Sequence, residues 1–227
     1  LAGLFITFEG VDGCGKSTQL RMLASELRLR GHEVVVTREP GGTPLGGRLR
    51  QALLDIEEQI DPLAELLVFA ADRAQHVRAL LRPALESGHV VLSDRYADAT
   101  IAYQGGGRGF PEELVSEVVA LATGGLMPEL TLVFDLTVEE GRARARSRPG
   151  GAGQDRLEAE DAAFYTRVRD AYLRLAAAEP ERVRVVDASG SVQETHGQVM
   201  RIVLPLIEAK GLVPKTVVGG PGPSSGG

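Results

Sequence analysis

Apolar residues fall into short unbroken runs that alternate with longer stretches of helical period. LFITFEG at 4–10 is the first such run. A continuous apolar stretch of this length marks a strand covered on both faces. HEVVVTR at 32–38, HVVLSDR at 89–95, LTLVFDL at 130–136 and RVRVVDA at 182–188 repeat it. The first helix runs to Arg30 and is stopped by Gly31. Asp61-Pro62 is an N-cap and first-turn pair for a long helix reaching about Ser87. Further helices open at Pro111 and cover about 138–148, 158–178 and 191–209, whereas REPGGTPLGG at 38–47 reads as a loop. Strands alternating with helices predict an α/β fold, a five-stranded parallel sheet flanked by helices and doubly wound. No internal repeat is visible. Residues 1–212 are expected to form one domain, and 213–227, rich in Gly, Pro and Ser, a flexible tail.

Composition narrows the class. The 227 residues fit one large core. A single cysteine excludes an internal disulfide or a CxxC metal site. The net charge of −6 argues against a nucleic-acid partner, although a local basic patch can still hold phosphate. No run approaches the roughly 20 apolar residues of a membrane span. The opening LAGLFITFEG lacks a basic leader region and enters a strand directly, so a cytoplasmic protein away from membranes is expected.

The strongest chemical signal follows the first strand. Gly10-Val11-Asp12-Gly13-Cys14-Gly15-Lys16-Ser17, with Thr18 after it, matches GxxxxGK[ST] between a predicted strand and a predicted helix. The glycines let backbone N–H groups turn inward around a polyphosphate at the positive end of a helix. Lys16 reaches the β- and γ-phosphates of a nucleotide, and the Ser17 hydroxyl is a ligand for Mg²⁺. A Mg²⁺ site needs a carboxylate as well, and Asp94, closing its strand, is placed to supply it beside Arg95. An Asp-Arg pair at a strand end is, taken alone, more often a surface ion pair. No guanine-binding NKxD motif follows.

TREPGG at 37–42, LLVFAADRAQHV at 66–77, SDRY at 93–96 and AYQGGGRG at 102–109 stand in an order and spacing that resemble thymidylate kinases over roughly residues 4–209. The resemblance implies a P-loop NTPase fold with a mobile lid, commonly a homodimer, that passes the γ-phosphate of ATP to dTMP with Mg²⁺. It implies that Arg38 grips the acceptor phosphate, for which a guanidinium fork is well shaped. Glu39 and Pro40 would shape the acceptor pocket. Phe69 and Arg73, four apart on one helix face, would stack on and bond the base. For Phe69 alone, a core phenylalanine is the simpler reading. Gln104, helped by Thr100, would read the base N3 edge, and Tyr103 would crowd C2′ to exclude ribose. Asp12 would contact the 3′-hydroxyl or the metal.

RARARSRPGGAGQDR at 142–156 corresponds to the lid. Some family members carry a catalytic arginine in the P-loop. Here Asp12 and Gly13 hold the variable positions, so Arg146, Arg148 and Arg156 are the expected lid cations, with Arg95 and Lys16 completing the catalytic set. Asp155 and Glu158 resemble lid acids near the acceptor. No general base is required, because a phosphate monoester is already largely dianionic near neutrality (second pKa about 6). His32, His76, His89 and His196 are read as structural or surface residues. Cys14, among inward-facing N–H groups near Lys16, has two open readings: a thiol of lowered pKa that reacts in a nucleotide-dependent way, or a small residue tolerated in the loop. Two rival readings stay open from the residues: a deoxynucleoside kinase using Glu39 as base, and a non-catalytic nucleotide-binding module.

Overall fold

The computed structural model describes residues 2–54, 59–147 and 160–212. The five apolar runs become β1 (Leu4–Glu9), β2 (Val34–Arg38), β3 (Val90–Asp94), β4 (Leu130–Asp135) and β5 (Val183–Asp187), each shorter than its run by one or two residues. They pair in the order β2-β3-β1-β4-β5, parallel throughout. The chain therefore leaves β1 with β3 on one side and β4 on the other. At such a reversal, the loops after the strand C-termini part and open a crevice.

Alternate β1 side chains serve opposite layers. Leu4, Ile6 and Phe8 pack with α1 (Lys16–Leu29), α8 (Ala162–Ala178) and α9 (Val192–Ala209) through Leu23, Tyr172 and Val203. Phe5, with Val91 of β3, packs against Val77, Leu81, Leu85 and Tyr96 on the other face. Burial on both sides is why β1, β3 and β4 read as unbroken apolar runs, whereas the edge strands β2 and β5, expected to be covered likewise, leave Val36 and Val185 42% and 44% exposed.

The helix capped by Asp61, which accepts from the Leu63 and Ala64 N–H groups, does reach Ser87. It runs as α3 (Pro62–His76), a π-helical turn (Val77–Leu81) and α4 (Arg82–Glu86). One expectation fails, and one helix lies where none was expected. The loop placed at 38–47 is cut short by α2 (Pro44–Leu54), whose opening proline needs no N–H partner in a first turn. A second helix, not expected from its glycines, joins α5 (Ala97–Thr100) to a π-helical segment (Ile101–Gly107). Its glycines allow close approach to α8. A Cβ on Gly106 would lie 2.6 Å from that of Ala171, and one on Gly107 2.5 Å from the Phe164 ring.

The remaining helices are α6 (Glu112–Thr123), α7 (Val138–Arg146) and α8, which starts at Ala162, later than 158, under an Asp161 cap. Among the described residues no helix is long and apolar enough to cross a membrane.

Candidate active site

Strand register places the first group of residues. Phe8, the penultimate residue of β1, pairs with Asp94, and Asp94 pairs in turn with Arg38. The β1 loop, Asp94 and Arg38 therefore share the C-terminal edge of the sheet. The loop is shaped by left-handed glycines: Gly10 has φ 132°, Gly13 82° and Gly15 90°. At Gly13 a side chain is also excluded by space, since its Cβ would run into the carbonyl of Gly141 in α7.

Asp12 is the hub of this loop. Its Oδ1 accepts from Lys16 Nζ at 3.3 Å and from Arg95 Nη2 at 2.7 Å. Burial works against its ionisation, yet Arg95 and then Lys16 outweigh it and hold the carboxyl well below the usual range. Arg95 also donates to the Gly10 carbonyl at 3.2 Å, and its guanidinium lies over the Tyr103 ring at 4.8 Å. Its backbone has φ 70°, a left-handed conformation uncommon for a side-chain-bearing residue and costing about 1–3 kcal/mol. Ser17 Oγ donates to Asp94 Oδ2 at 2.5 Å, so the two expected Mg²⁺ ligands meet. Both offer the hard oxygen atoms that Mg²⁺ prefers. Among the described residues no cluster of three or more His, Cys, Asp or Glu could hold a metal. Arg38 is exposed, and among the described residues no hydrogen bond or ion pair holds it.

A second group is buried. Glu39 Oε2 accepts from Arg73 Nε and Oε1 from His76 Nδ1, both at 2.8 Å, while His76 Nε2 lies 2.8 Å from Thr37 Oγ1. Arg73, only 2% exposed, also donates to Thr100 Oγ1 and to the Tyr96 carbonyl, each at 2.8 Å. Three of its five N–H groups are thereby placed, which leaves one on each terminal nitrogen for a ligand. Phe69 lies one turn before Arg73, half-buried, and belongs to neither core cluster. Pro40 is buried, and its carbonyl accepts from Arg50 at 3.2 Å. Gln104 Nε2 donates to Glu65 Oε1 at 3.0 Å, and Arg108 donates to both Glu65 oxygens at 3.2 and 3.1 Å. Tyr103 is buried with a hydroxyl that finds no partner among the described residues.

The structure thus joins the P-loop, Arg95 and Tyr103 through Asp12, and Ser17 to Asp94, in one group, and Arg73, Thr100 and Glu39 in another. Arg146 closes α7 in an exposed position. Arg148, Asp155, Arg156 and Glu158 lie outside the described residues. Arg144 is held by the Ala188 and Ser189 carbonyls at 2.9 and 3.4 Å. The low-pKa reading of Cys14 is overturned. Its side chain is 1% exposed within the core cluster, and burial pushes the thiol up despite Lys16 nearby. Both run against a lowered thiol pKa.

Several contributors were missed in the sequence. Glu65 and Arg108 flank Gln104. Asp72 accepts from the Gly41 N–H at 3.2 Å, and burial followed by Glu39 pushes its carboxyl up to about 6. Glu9, the last residue of β1, accepts from the Tyr96 N–H and the Tyr172 hydroxyl, both at 2.7 Å. Burial and Asp98 push it up to about 8.

A family model described as thymidylate kinase matches residues 8–199. A thymidylate kinase of Geobacter sp. (strain M21) is 53% identical over 197 residues, covering 85% of this chain and 88% of that protein. One from Deinococcus radiodurans is 52% identical, covering 88% and 96%. The crystal structure of thymidylate kinase from Ehrlichia chaffeensis superposes with a TM-score of 0.73 at 34% identity, over 88% of this chain and 98% of that one.

Proposed function

Since the chain belongs to the thymidylate kinase family and transfers the γ-phosphoryl group of ATP to dTMP, giving dTDP and ADP, we propose that the two ends of its crevice divide that task. The phosphate end binds, aligns and neutralises, and the buried end reads the base. The observation that carries this division is the pairing of Lys16 and Arg95 on one partly exposed carboxylate, Asp12. Two cations are held there by an anion that phosphate oxygens can replace.

ATP phosphates enter the cradle from Gly10 to Thr18, including Val11, Cys14 and Gly15, with Lys16 on the β- and γ-oxygens. Arg38, uncommitted and exposed, takes the dTMP phosphate. Arg95 lies between the two phosphates and joins Lys16 in stabilising charge on the transferring group. Ser17 and Asp94 would hold Mg²⁺, which when bound screens the charge between β- and γ-phosphates. The acceptor dianion is its own nucleophile, so the protein's contribution is alignment and charge neutralisation. Arg146 supplies further cationic charge in this reading, and Arg148, Arg156 and Asp155, outside the described residues, are carried over as lid residues on the family resemblance alone.

At the other end Phe69 stacks on thymine, while Arg73 and Gln104, with Thr100 and the Pro40 loop, meet its polar edge. Tyr103 faces the sugar, and Asp12 its 3′-hydroxyl once released. Glu39, the base that a hydroxyl-phosphorylating kinase would require, has both oxygens engaged by Arg73 and His76. That favours the monophosphate as acceptor.

Residues 1–212 form the working unit in this reading, kept away from nucleic acid on the strength of the net charge of −6. A homodimer is part of the same proposal. Leu63 and Leu67, one turn apart on α3 and 46% and 53% exposed, support it, and the molar mass in solution tests it. The test of the reaction is a panel of nucleoside monophosphates and thymidine with ATP and Mg²⁺. Turnover of dTMP alone is expected, and turnover of thymidine without dTMP would overturn the assignment of Arg38.

A further inference from the structure

Gln104 carries an ambiguity that its neighbours resolve. A side-chain amide has a donor end and an acceptor end of nearly equal shape, so by itself it can present either to a base. Thymine offers an N3–H donor between two carbonyl acceptors. Cytosine offers an N3 acceptor beside an amino donor. An amide free to turn over would satisfy both.

In this structure it is not free. Gln104 is 2% exposed, and its Nε2 donates to Glu65 Oε1 at 3.0 Å. Glu65 is fully buried and receives two further N–H groups from Arg108, Nε at 3.2 Å and Nη2 at 3.1 Å. Arg108 is fixed in turn by Glu160 Oε1 at 2.6 Å from Nη1 and by the face of Phe164, 4.9 Å from its guanidinium carbon. A carboxylate clasped by a guanidinium fork only accepts. Turning the Gln104 amide over would set its oxygen 3.0 Å from a buried carboxylate oxygen, leaving two acceptors facing each other and a donor unpaired. One amide N–H is therefore committed to Glu65. The carbonyl oxygen and the second N–H remain, and with the oxygen set against N3 of the base, as in the proposed base contact, that oxygen accepts from the N3–H of thymine but faces a second acceptor in cytosine.

We propose that Glu65, held by Arg108, is a positioning residue that locks the polarity of the Gln104 amide and so makes the site select 4-oxo over 4-amino pyrimidine monophosphates. The proposal rests on the reading of Gln104 as a base contact. It adds a determinant one residue behind the pocket, on α3 rather than on the segment that carries Gln104.

The test compares kcat/KM for dTMP and dCMP in Glu65→Gln, Gln104→Ala and the double variant. An amide at 65 can donate as well as accept, so Gln104 can turn over. The dTMP/dCMP ratio should fall by about tenfold or more in Glu65→Gln. The loss should appear as a raised KM for dTMP, with kcat at saturation and the KM for ATP changed by less than about threefold. Added to Gln104→Ala, the Glu65 change should have no further effect on the ratio, because it acts only through that amide.

Should Glu65→Gln fail to fold, the pair Glu65→Leu with Arg108→Met removes the lock without stranding a buried charge, and the same fall is expected. An unchanged ratio in these Glu65 variants, or a fall that adds in full to that of Gln104→Ala, overturns the lock while leaving Gln104 as the reader. A wild-type ratio in Gln104→Ala overturns the base-reading role itself, and the lock with it.

Discussion

The two ends of the crevice are built from the same residue types in opposite ways. At the phosphate end Lys16 and Arg95 share one carboxylate, Asp12, with Arg95 also on the Gly10 carbonyl and the Tyr103 face, and Arg38 leans on nothing among the described residues. At the base end Arg73 is 2% exposed and tied to three partners, and the Glu65–Arg108 pair is packed behind Gln104. In the proposed reading, charges that receive a mobile polyphosphate are left exchangeable. Donors proposed to recognise a rigid, neutral ring are fixed in advance, so that little ordering is left for binding to supply. The same arginine side chain is a grip in one place and part of the pocket wall in the other.

That contrast can be broken first at Lys16. Lys16→Ala should lower transfer by about 10³-fold or more, by analogy with the loss of a charge-stabilising donor, while the melting temperature stays near that of the parent. A large fall in melting temperature would mean that the phosphate end is as structural as the base end.

Next come the paired arginines. Arg73→Ala strands Glu39 as a buried carboxylate short of a partner, at a cost of about 3–5 kcal/mol in denaturant unfolding. Arg38→Ala should stay within about 0.5 kcal/mol of the parent, as exposed changes do, while weakening dTMP far more than ATP. Equal stability losses in the two would erase the distinction.

A smaller effect separates the ends by pH. Glu9 is held protonated up to about 8 against an ordinary value of 4.5, chiefly by burial. The folded chain then keeps a proton that the unfolded chain releases, so this group's stabilising contribution is lost as pH rises from 4.5 towards 8. Glu9→Gln should flatten that slope in melting curves, and an unchanged slope would place its origin elsewhere.

Smallest is Tyr103→Phe. Removing a buried hydroxyl that lacks a partner should raise stability by about 1 kcal/mol. Tyr103→Ala should also relax the exclusion of ribo-monophosphates.

How much of this was legible in the sequence follows the same division. The phosphate end is written locally. GVDGCGKS lies within eight consecutive residues, and Asp94 and Arg38 close apolar strands whose parallel pairing aligns them. The base end is written across the chain, and its partners are separated by 34 residues for Arg73 and Glu39 and by 39 for Gln104 and Glu65. Motif resemblance pointed to Arg73, Thr100 and Gln104, the proposed base contacts, but not to Glu65, Arg108, Asp72 or the tie of His76 to Glu39.

One signal was present. Glu65, Asp72 and His76 recur at intervals of seven and four on α3, where helical period calls for core residues, and all three are buried. Charged groups at core positions announce a polar network. The helix at 97–107 was hidden for the opposite reason. Three glycines argue locally for a loop, and only packing against Phe164 and Ala171 of α8 explains why they are helical. Cys14 misled because the electropositive loop was visible in the sequence and the core behind it was not.

The central claim, an exchangeable phosphate end facing a base end built in advance, is tested most directly by a crystal structure of this chain with dTMP and a non-hydrolysable ATP analogue. Lys16 and Arg95 should leave Asp12 for phosphate oxygens, while the 2.8 Å Arg73–Glu39 and 3.0 Å Gln104–Glu65 bonds persist. Bound nucleotides with Lys16 and Arg95 still on Asp12, or with Arg73 drawn away from Glu39, would contradict it.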